Sequence, residues 1–449
     1  MLFFSPLVAF LLALQASAQE RPLAVGYYPS WGKAAYPHTT VQYGSLTHIA
    51  HAFIFPNADG TIDMSGFTLY PELIQSSHQH GVGMMISVGG WDEVRTPRFS
   101  QMVKDSVARR RFVSNLKEFC LQYSYDGADI DWEYPVASDK PFSMQFFQEL
   151  HDTFATVSPR LLLSIAAPST DWNNGYDWTV MTSVLDWVGV MTYDFYGSWT
   201  SKAGPNAPLY GTTSTTDQGW IDNSVSFYLN QKHVPPSMLL TGVPFYGWQF
   251  NASAMFGPSS GASQLPYNQI APLAEAGWTR YWDSTTRVPH LINPSQDRVI
   301  SYDDTASISE KCAYVRSHGL GGVIIWALGQ DYLNNDQVLL STVGIGLSGT
   351  SGILRQLTQA VPESIALFQN FPNPFNGETR IRFAVRRPGH VSLTIYDLLG
   401  RKVLAPVDRN FSRGTYEVSI RSQELGSGVF FYRLAGQDGL LTRRMIVLP

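Results

Sequence analysis

Two periodicities alternate along the chain. Continuous apolar or β-branched runs lie at 23–28, 47–55, 83–88, 126–133, 161–167, 187–194, 239–246 and 321–327. Short runs of this kind read as strands buried on both faces. Between them lie longer amphipathic stretches, of which 102–123, 143–157 and 305–317 have helix length. Eight strands alternating with helices within residues 20–345 predict an α/β fold, the (β/α)8 TIM barrel. The interval 248–320 is too long for one helix, so a small insertion is expected in the seventh loop. A doubly wound open sheet is the competing arrangement, but no Gly-x-Gly-x-x-Gly follows the first strand.

The pattern changes after residue 345. All 12 tryptophans lie between Trp31 and Trp326. Residues 346–362 begin with the Gly/Ser-rich Gly346-Leu-Ser-Gly-Thr-Ser-Gly352 and read as a linker. Residues 363–449 hold short runs such as Val391-Ser-Leu-Thr-Ile-Tyr396, separated by turn residues, which predict a small all-β sandwich. That segment carries a net charge of +5, and the remainder −10. At the other end, apolar Leu2–Leu14 followed by Ala16-Ser17-Ala18 reads as a signal peptide covering 1–18. Its n-region has no Lys or Arg, and an N-terminal anchor is the alternative. The barrel unit is thus expected over 19–345.

Composition narrows the function. Hydrophobic residues make up 44% and charged residues 15%, which fits a large packed core. A formal charge of −5 argues against nucleic-acid binding, and no second apolar run predicts a stable membrane span. Two cysteines exclude a disulfide scaffold and a multi-cysteine metal site. Cys120 precedes the fourth strand and Cys312 the eighth, on opposite sides of a barrel, so both are expected as free thiols. No cofactor or metal is expected, and the chain is read as a monomer.

The most informative segment is Asp126-Gly-Ala-Asp-Ile-Asp-Trp-Glu-Tyr-Pro135. Asp129, Asp131 and Glu133 alternate, so a strand turns all three to one face, with roughly 6–7 Å between alternate residues. If that face is buried, the carboxylates cannot all ionise, and at least one becomes an acid able to donate near neutral pH. An exposed edge strand and a calcium site are the other readings of the same pattern.

This run resembles the signature of glycoside hydrolase family 18, the chitinases. Further motifs follow in family order: Ser87-Val-Gly-Gly-Trp91, Met191-Thr-Tyr-Asp194, Gly242-Val-Pro-Phe-Tyr-Gly247 and Gly321-Gly-Val-Ile-Ile-Trp326. The resemblance implies a retaining hydrolase in which the substrate's own 2-acetamido oxygen is the nucleophile, so the usual carboxylate-separation rule does not apply. Glu133 would then be the general acid. Asp131 would orient the acetamido N–H and share a proton with Asp129. Ser87 would help satisfy that pair, and Tyr193 would donate to the acetamido carbonyl. Met191 and Asp194 would line the same subsite, with Trp326 as its floor. Trp91 and Trp199 would stack on leaving-group sugars. Tyr28, Phe53, Tyr134 and Tyr246 are further lining residues. His48 and His51 read as structural. One departure stands out: the strand-seven motif usually continues to Arg, and here Trp248 follows, so a polar contact to sugar is expected to give way to an aromatic one.

The tail motifs Phe368-Gln-Asn-Phe-Pro-Asn-Pro-Phe375, Tyr396-Asp-Leu-Leu-Gly-Arg401, Gly414-Thr-Tyr416 and Gly426-Ser-Gly-Val429 resemble the type A sorting domain of the type IX secretion system. This implies a secreted or cell-surface chitinase whose partners are chitin oligosaccharides and the secretion machinery. A carbohydrate-binding module is the alternative for the tail. For the barrel the alternatives are an endo-β-N-acetylglucosaminidase acting on N-glycans and a catalytically dead chitin-binding lectin. Glu133 weighs against the lectin.

Overall fold

A computed structural model of the protein describes residues 22–211, 218–348, 355–357, 365–387, 389–411 and 413–448. The signal-peptide reading of 1–18 lies outside the described residues, as does most of the linker reading.

Eight parallel strands close into a barrel in chain order: Leu23–Pro29, His48–Pro56, Gly83–Gly89, Gly127–Asp131, Leu162–Ala167, Trp187–Val190, Leu239–Pro244 and Gly322–Trp326. The first strand closes the ring by pairing with both the second and the eighth: Val25 lies beside His48 and Ile324. Each predicted apolar run overlaps one barrel strand. The reason is burial on both faces. Val25, Tyr27, Ala50, Ala52, Met85, Trp187, Leu240 and Ile324 pack inside the barrel. The alternate residues Ala24, Ile49, Met84, Ile86, Ala128 and Ile130 join the outer core with the helices.

The amphipathic stretch expected as one helix over 102–123 is two, Pro97–Lys104 and Ser106–Tyr123. Asp105 breaks it, because its side chain accepts from the Val107 and Ala108 amides and caps the second helix. Thr305–Ser317 is capped the same way by Asp304, reciprocally with Ser307. The insertion after the seventh strand is a five-stranded antiparallel sheet, ordered Ala262–Pro266, Tyr246–Phe250, Val299–Ser301, Val288–Ile292 and Thr279–Asp283. It has its own small core of Ile270, Leu291, Ile300 and Tyr302.

The C-terminal unit is a sandwich of two four-stranded sheets around Ile381, Phe383, Leu393, Ile395, Val418, Tyr432 and Leu434. Arg355–Leu357, within the stretch read as linker, pairs antiparallel with Thr415–Glu417 as an edge strand of this sandwich. At the barrel end, helix Val338–Leu347 continues two residues past 345 and buries Leu347. Cys120 and Cys312 are both free and buried. Among the described residues, no helix is long and apolar enough to cross a membrane.

Candidate active site

Strand parity builds the site. On the fourth strand Ala128 and Ile130, and Trp132 just past its end, face the outer core, so Asp129 and Asp131 face the barrel interior. Parallel register then sets Ser87 of the third strand and Ser164 of the fifth directly beside Asp129. Both use that position. Asp129 Oδ2 accepts from the Tyr27 hydroxyl at 2.8 Å and from Ser87 Oγ at 2.9 Å, and Oδ1 from Ser164 Oγ at 2.7 Å. Burial raises the Asp129 pKa, and these three hydroxyls oppose the rise.

Asp131 lies one layer nearer the mouth. Its Oδ1 is buried and has no hydrogen-bond partner among the described residues. Burial, then the charges of Glu133 and Asp129, push its pKa well above the carboxylate range. Neither of the two glycines beside it has room for a side chain. Gly89 has φ +120°, and a Cβ there would lie 2.0 Å from the Asp131 carbonyl oxygen; the Gly90 amide donates to that same oxygen at 2.7 Å.

Glu133 follows at the strand's end, where a pocket of about 330 Å³ is lined by Trp91, Thr96, Trp132, Glu133 and Tyr134 among others. Burial, with a further contribution from the Asp194 charge, pushes the Glu133 pKa up to about 7, against hydrogen bonds from Tyr134 and the Trp91 amide.

The opposite wall comes from the segments that follow the sixth and seventh strands. Asp194 adopts a left-handed conformation with φ +59°, its amide donating to Asn206 Oδ1 at 2.9 Å. Its Oδ1 accepts from the Tyr246 hydroxyl and from Trp248 Nε1, both at 2.7 Å. Trp248 is therefore buried, and its indole N–H restrains a site carboxylate rather than offering a ring face to sugar. Tyr193 packs edge-on against Tyr246 at 6.1 Å and against Gly242, where a Cβ would come within 2.7 Å of its ring. Burial and the Asp131 charge raise its hydroxyl pKa, which keeps it a donor.

Trp326, at the end of the eighth strand, is stacked on Phe53 at 5.6 Å and tilted against Tyr27 at 5.7 Å, with Met191 packed in the same inner cluster. Trp91 and Trp199 are exposed at the mouth, and Trp199 stands edge-on to Trp248 at 5.4 Å.

Of the residues expected in the site, Tyr28 is a correction. It points away from the barrel interior, packs against Tyr36, Tyr70 and His51, and donates to the Tyr36 carbonyl. Its neighbour Tyr27 takes the inward position and holds Asp129. Tyr27 and Ser164 were not singled out from the sequence, nor were the exposed indoles of Trp31 and Trp172. The register beside Asp129 is the signal that finds Ser164 once the strands are paired. His51 lies in the outer core, its Nδ1 paired with the Tyr125 hydroxyl at 2.8 Å. Among the described residues, no group of three or more His, Cys, Asp or Glu is arranged to hold a metal ion.

The glycosyl hydrolases family 18 model matches residues 24–331, and the secretion system C-terminal sorting domain model matches residues 369–448. A probable endochitinase of Caenorhabditis elegans is 30% identical over 379 residues, covering 76% of this chain and 59% of that protein. Chitinase A1 of Niallia circulans is 33% identical over 283 residues, covering 55% of this chain and 40% of that protein. The chain thus spans less than two thirds of either relative. Among solved structures, a catalytic domain of the Ostrinia furnacalis group II chitinase in complex with (NAG)5 superimposes with a TM-score of 0.68 at 27% identity, covering 74% of this chain and 97% of that one. A match over most of the barrel, with Asp129 and Asp131 buried on the inward face of its fourth strand, makes this chain a member of glycoside hydrolase family 18.

Proposed function

We propose that the protein is a secreted chitinase that hydrolyses β-1,4-linked N-acetylglucosamine chains by substrate-assisted, retaining catalysis. The observation that carries this reading is the buried carboxylate row: Asp129 and Asp131 face the barrel interior, Glu133 follows them in a setting whose burial raises its pKa, and Asp131 Oδ1 has no hydrogen-bond partner among the described residues.

A sugar seated on Trp326 has its 2-acetamido group between Asp131 and Tyr193. The amide N–H satisfies Asp131 Oδ1, and the Tyr193 hydroxyl donates to the acetamido carbonyl, aiming that oxygen at the anomeric carbon. Such positioning lowers the barrier by several kcal/mol, about 7–11 at the limit. Glu133 gives its proton to the glycosidic oxygen as the C1–O bond breaks and the acetamido oxygen bonds to C1. The resulting oxazolinium cation lies against Asp131. Water then attacks C1 from the vacated side, Glu133 takes its proton, and the ring reopens with net retention. Asp129, held by Tyr27, Ser87 and Ser164, fixes the layer beneath Asp131 and disfavours a second full charge there. Tyr246 and Trp248 restrain Asp194 at the same subsite. The domain matched at 369–448 supports export through the secretion machinery.

Glu133→Gln tests the assignment. The amide keeps the shape but cannot donate a proton, so hydrolysis of chitin oligosaccharides should fall by about 10³-fold or more, while calorimetry still detects their binding. A loss of activity below tenfold would remove Glu133 from the acid role.

A further inference from the structure

Four indoles lie exposed around the barrel mouth: Trp31, Trp91, Trp172 and Trp199. An isolated exposed aromatic is ordinary, so exposure alone assigns nothing. Trp172 differs in how it is held. Its loop follows the fifth strand and is pinned from within by Asp171, only 7% exposed, whose Oδ1 accepts from the Gly175 amide and Oδ2 from Trp178 Nε1, both at 3.0 Å. The Asn174 amide donates to the Asp171 carbonyl at 3.1 Å. From the neighbouring helix, Ser143 Oγ donates to the Gly175 carbonyl at 3.2 Å and Lys140 Nζ to Asn174 Oδ1 at 3.0 Å.

The loop also lies backbone to backbone on the segment that carries the acid. A Cβ at Gly175 would come within 2.3 Å of the Pro135 carbonyl oxygen, two residues past Glu133. The Trp172 indole meets the Tyr134 ring edge-on, with centroids 5.1 Å apart at 71°. Tyr134 in turn lines the pocket beside Glu133. A rigid loop thus keeps a large apolar ring 58% exposed at a fixed place, one aromatic neighbour beyond the acid and between the loops of Trp91 and Trp199.

We propose that Trp172 is an additional sugar platform on the leaving-group side, engaged only by chains that extend past Tyr134. The ligand is a distal N-acetylglucosamine unit, whose axial C–H face packs on the indole. This rests on the chitinase reading above. Trp172 acts on the length of chain bound and touches no reacting atom.

The test uses the full chain and two substrates. One is hexa-N-acetylchitohexaose. The other is an aryl glycoside of di-N-acetylchitobiose, which has no sugar beyond the cleavage point. The expected result for Trp172→Ala is a fall of about fivefold in the ratio of kcat/KM on the hexamer to kcat/KM on the aryl substrate, carried mainly by KM. Trp172→Phe, which keeps a ring and the loop's packing, should recover most of that ratio. A ratio unchanged in both variants overturns the platform, whether activity is retained or both substrates decline together through a displaced Tyr134. A wild-type enzyme inactive on both substrates overturns the chitinase reading instead, and the platform with it.

Discussion

A carboxylic acid that donates a proton near neutral pH must be kept from ionising, and the surroundings of Glu133 do this chiefly by burial. With its pKa at about 7, the proton is present through the acidic range and is lost as pH rises through that value. The alkaline limb of kcat/KM on chitin oligosaccharides should therefore lie near pH 7, and a flat profile to pH 9 would contradict the assignment. The same shift has a stability consequence. The group ionises near 4.5 when unfolded, so between 4.5 and about 7 the folded state binds more protons than the unfolded one. Stability from this site must then fall as pH rises across that window. Glu133→Gln removes the slope. Calorimetry should find its melting temperature, relative to wild type, higher by a few degrees at pH 8 than at pH 5. An equal difference at both values would show that Glu133 is not strained by its setting.

At the scale of elements, the third and fourth strands place the chemistry, and their backbones meet at Gly89. An Ala there must hold φ near +120° with its Cβ 2.0 Å from the Asp131 carbonyl oxygen. Gly89→Ala should cost about 1–3 kcal/mol in strain alone and move Asp131, so urea midpoint and activity should fall together. Activity preserved at a wild-type midpoint would refute this packing. The same strands show what the sequence made legible. On the fourth strand the acids alternate with Ile130 and Trp132, so its phase is written in polarity. The first strand, Leu-Ala-Val-Gly-Tyr-Tyr-Pro, is apolar on both faces because both are buried, and nothing in it distinguishes Tyr27 from Tyr28. Only pairing with the second and eighth strands sets that phase. Ser164 was hidden for a related reason, since its use depends on lying beside Asp129 across a sheet. The insertion was foreseen from its length, but Trp248 was not foreseen as a hydrogen-bond donor to Asp194, which is a contact between a strand of the insertion and the loop after the sixth barrel strand.

The whole molecule consists of units with separate cores: among the described residues, the sandwich core draws on residues 365–447. A chain ending after Ser348 keeps helix Val338–Leu347 intact and should retain its activity on soluble chitin oligosaccharides within about twofold. In the native host the same truncation should leave the enzyme in the periplasm, and its normal appearance outside the cell would remove the sorting role of the tail. The twelve tryptophans are confined to the barrel, which agrees with sugar recognition there rather than in the tail. The central claim is that the substrate's acetamido oxygen, positioned by Asp131 and Tyr193, is the nucleophile. It is tested most directly by comparing initial cleavage rates on the N-acetylglucosamine hexamer and on the fully deacetylated glucosamine hexamer. The account predicts cleavage of the first and none of the second above background. Comparable rates on both would contradict it.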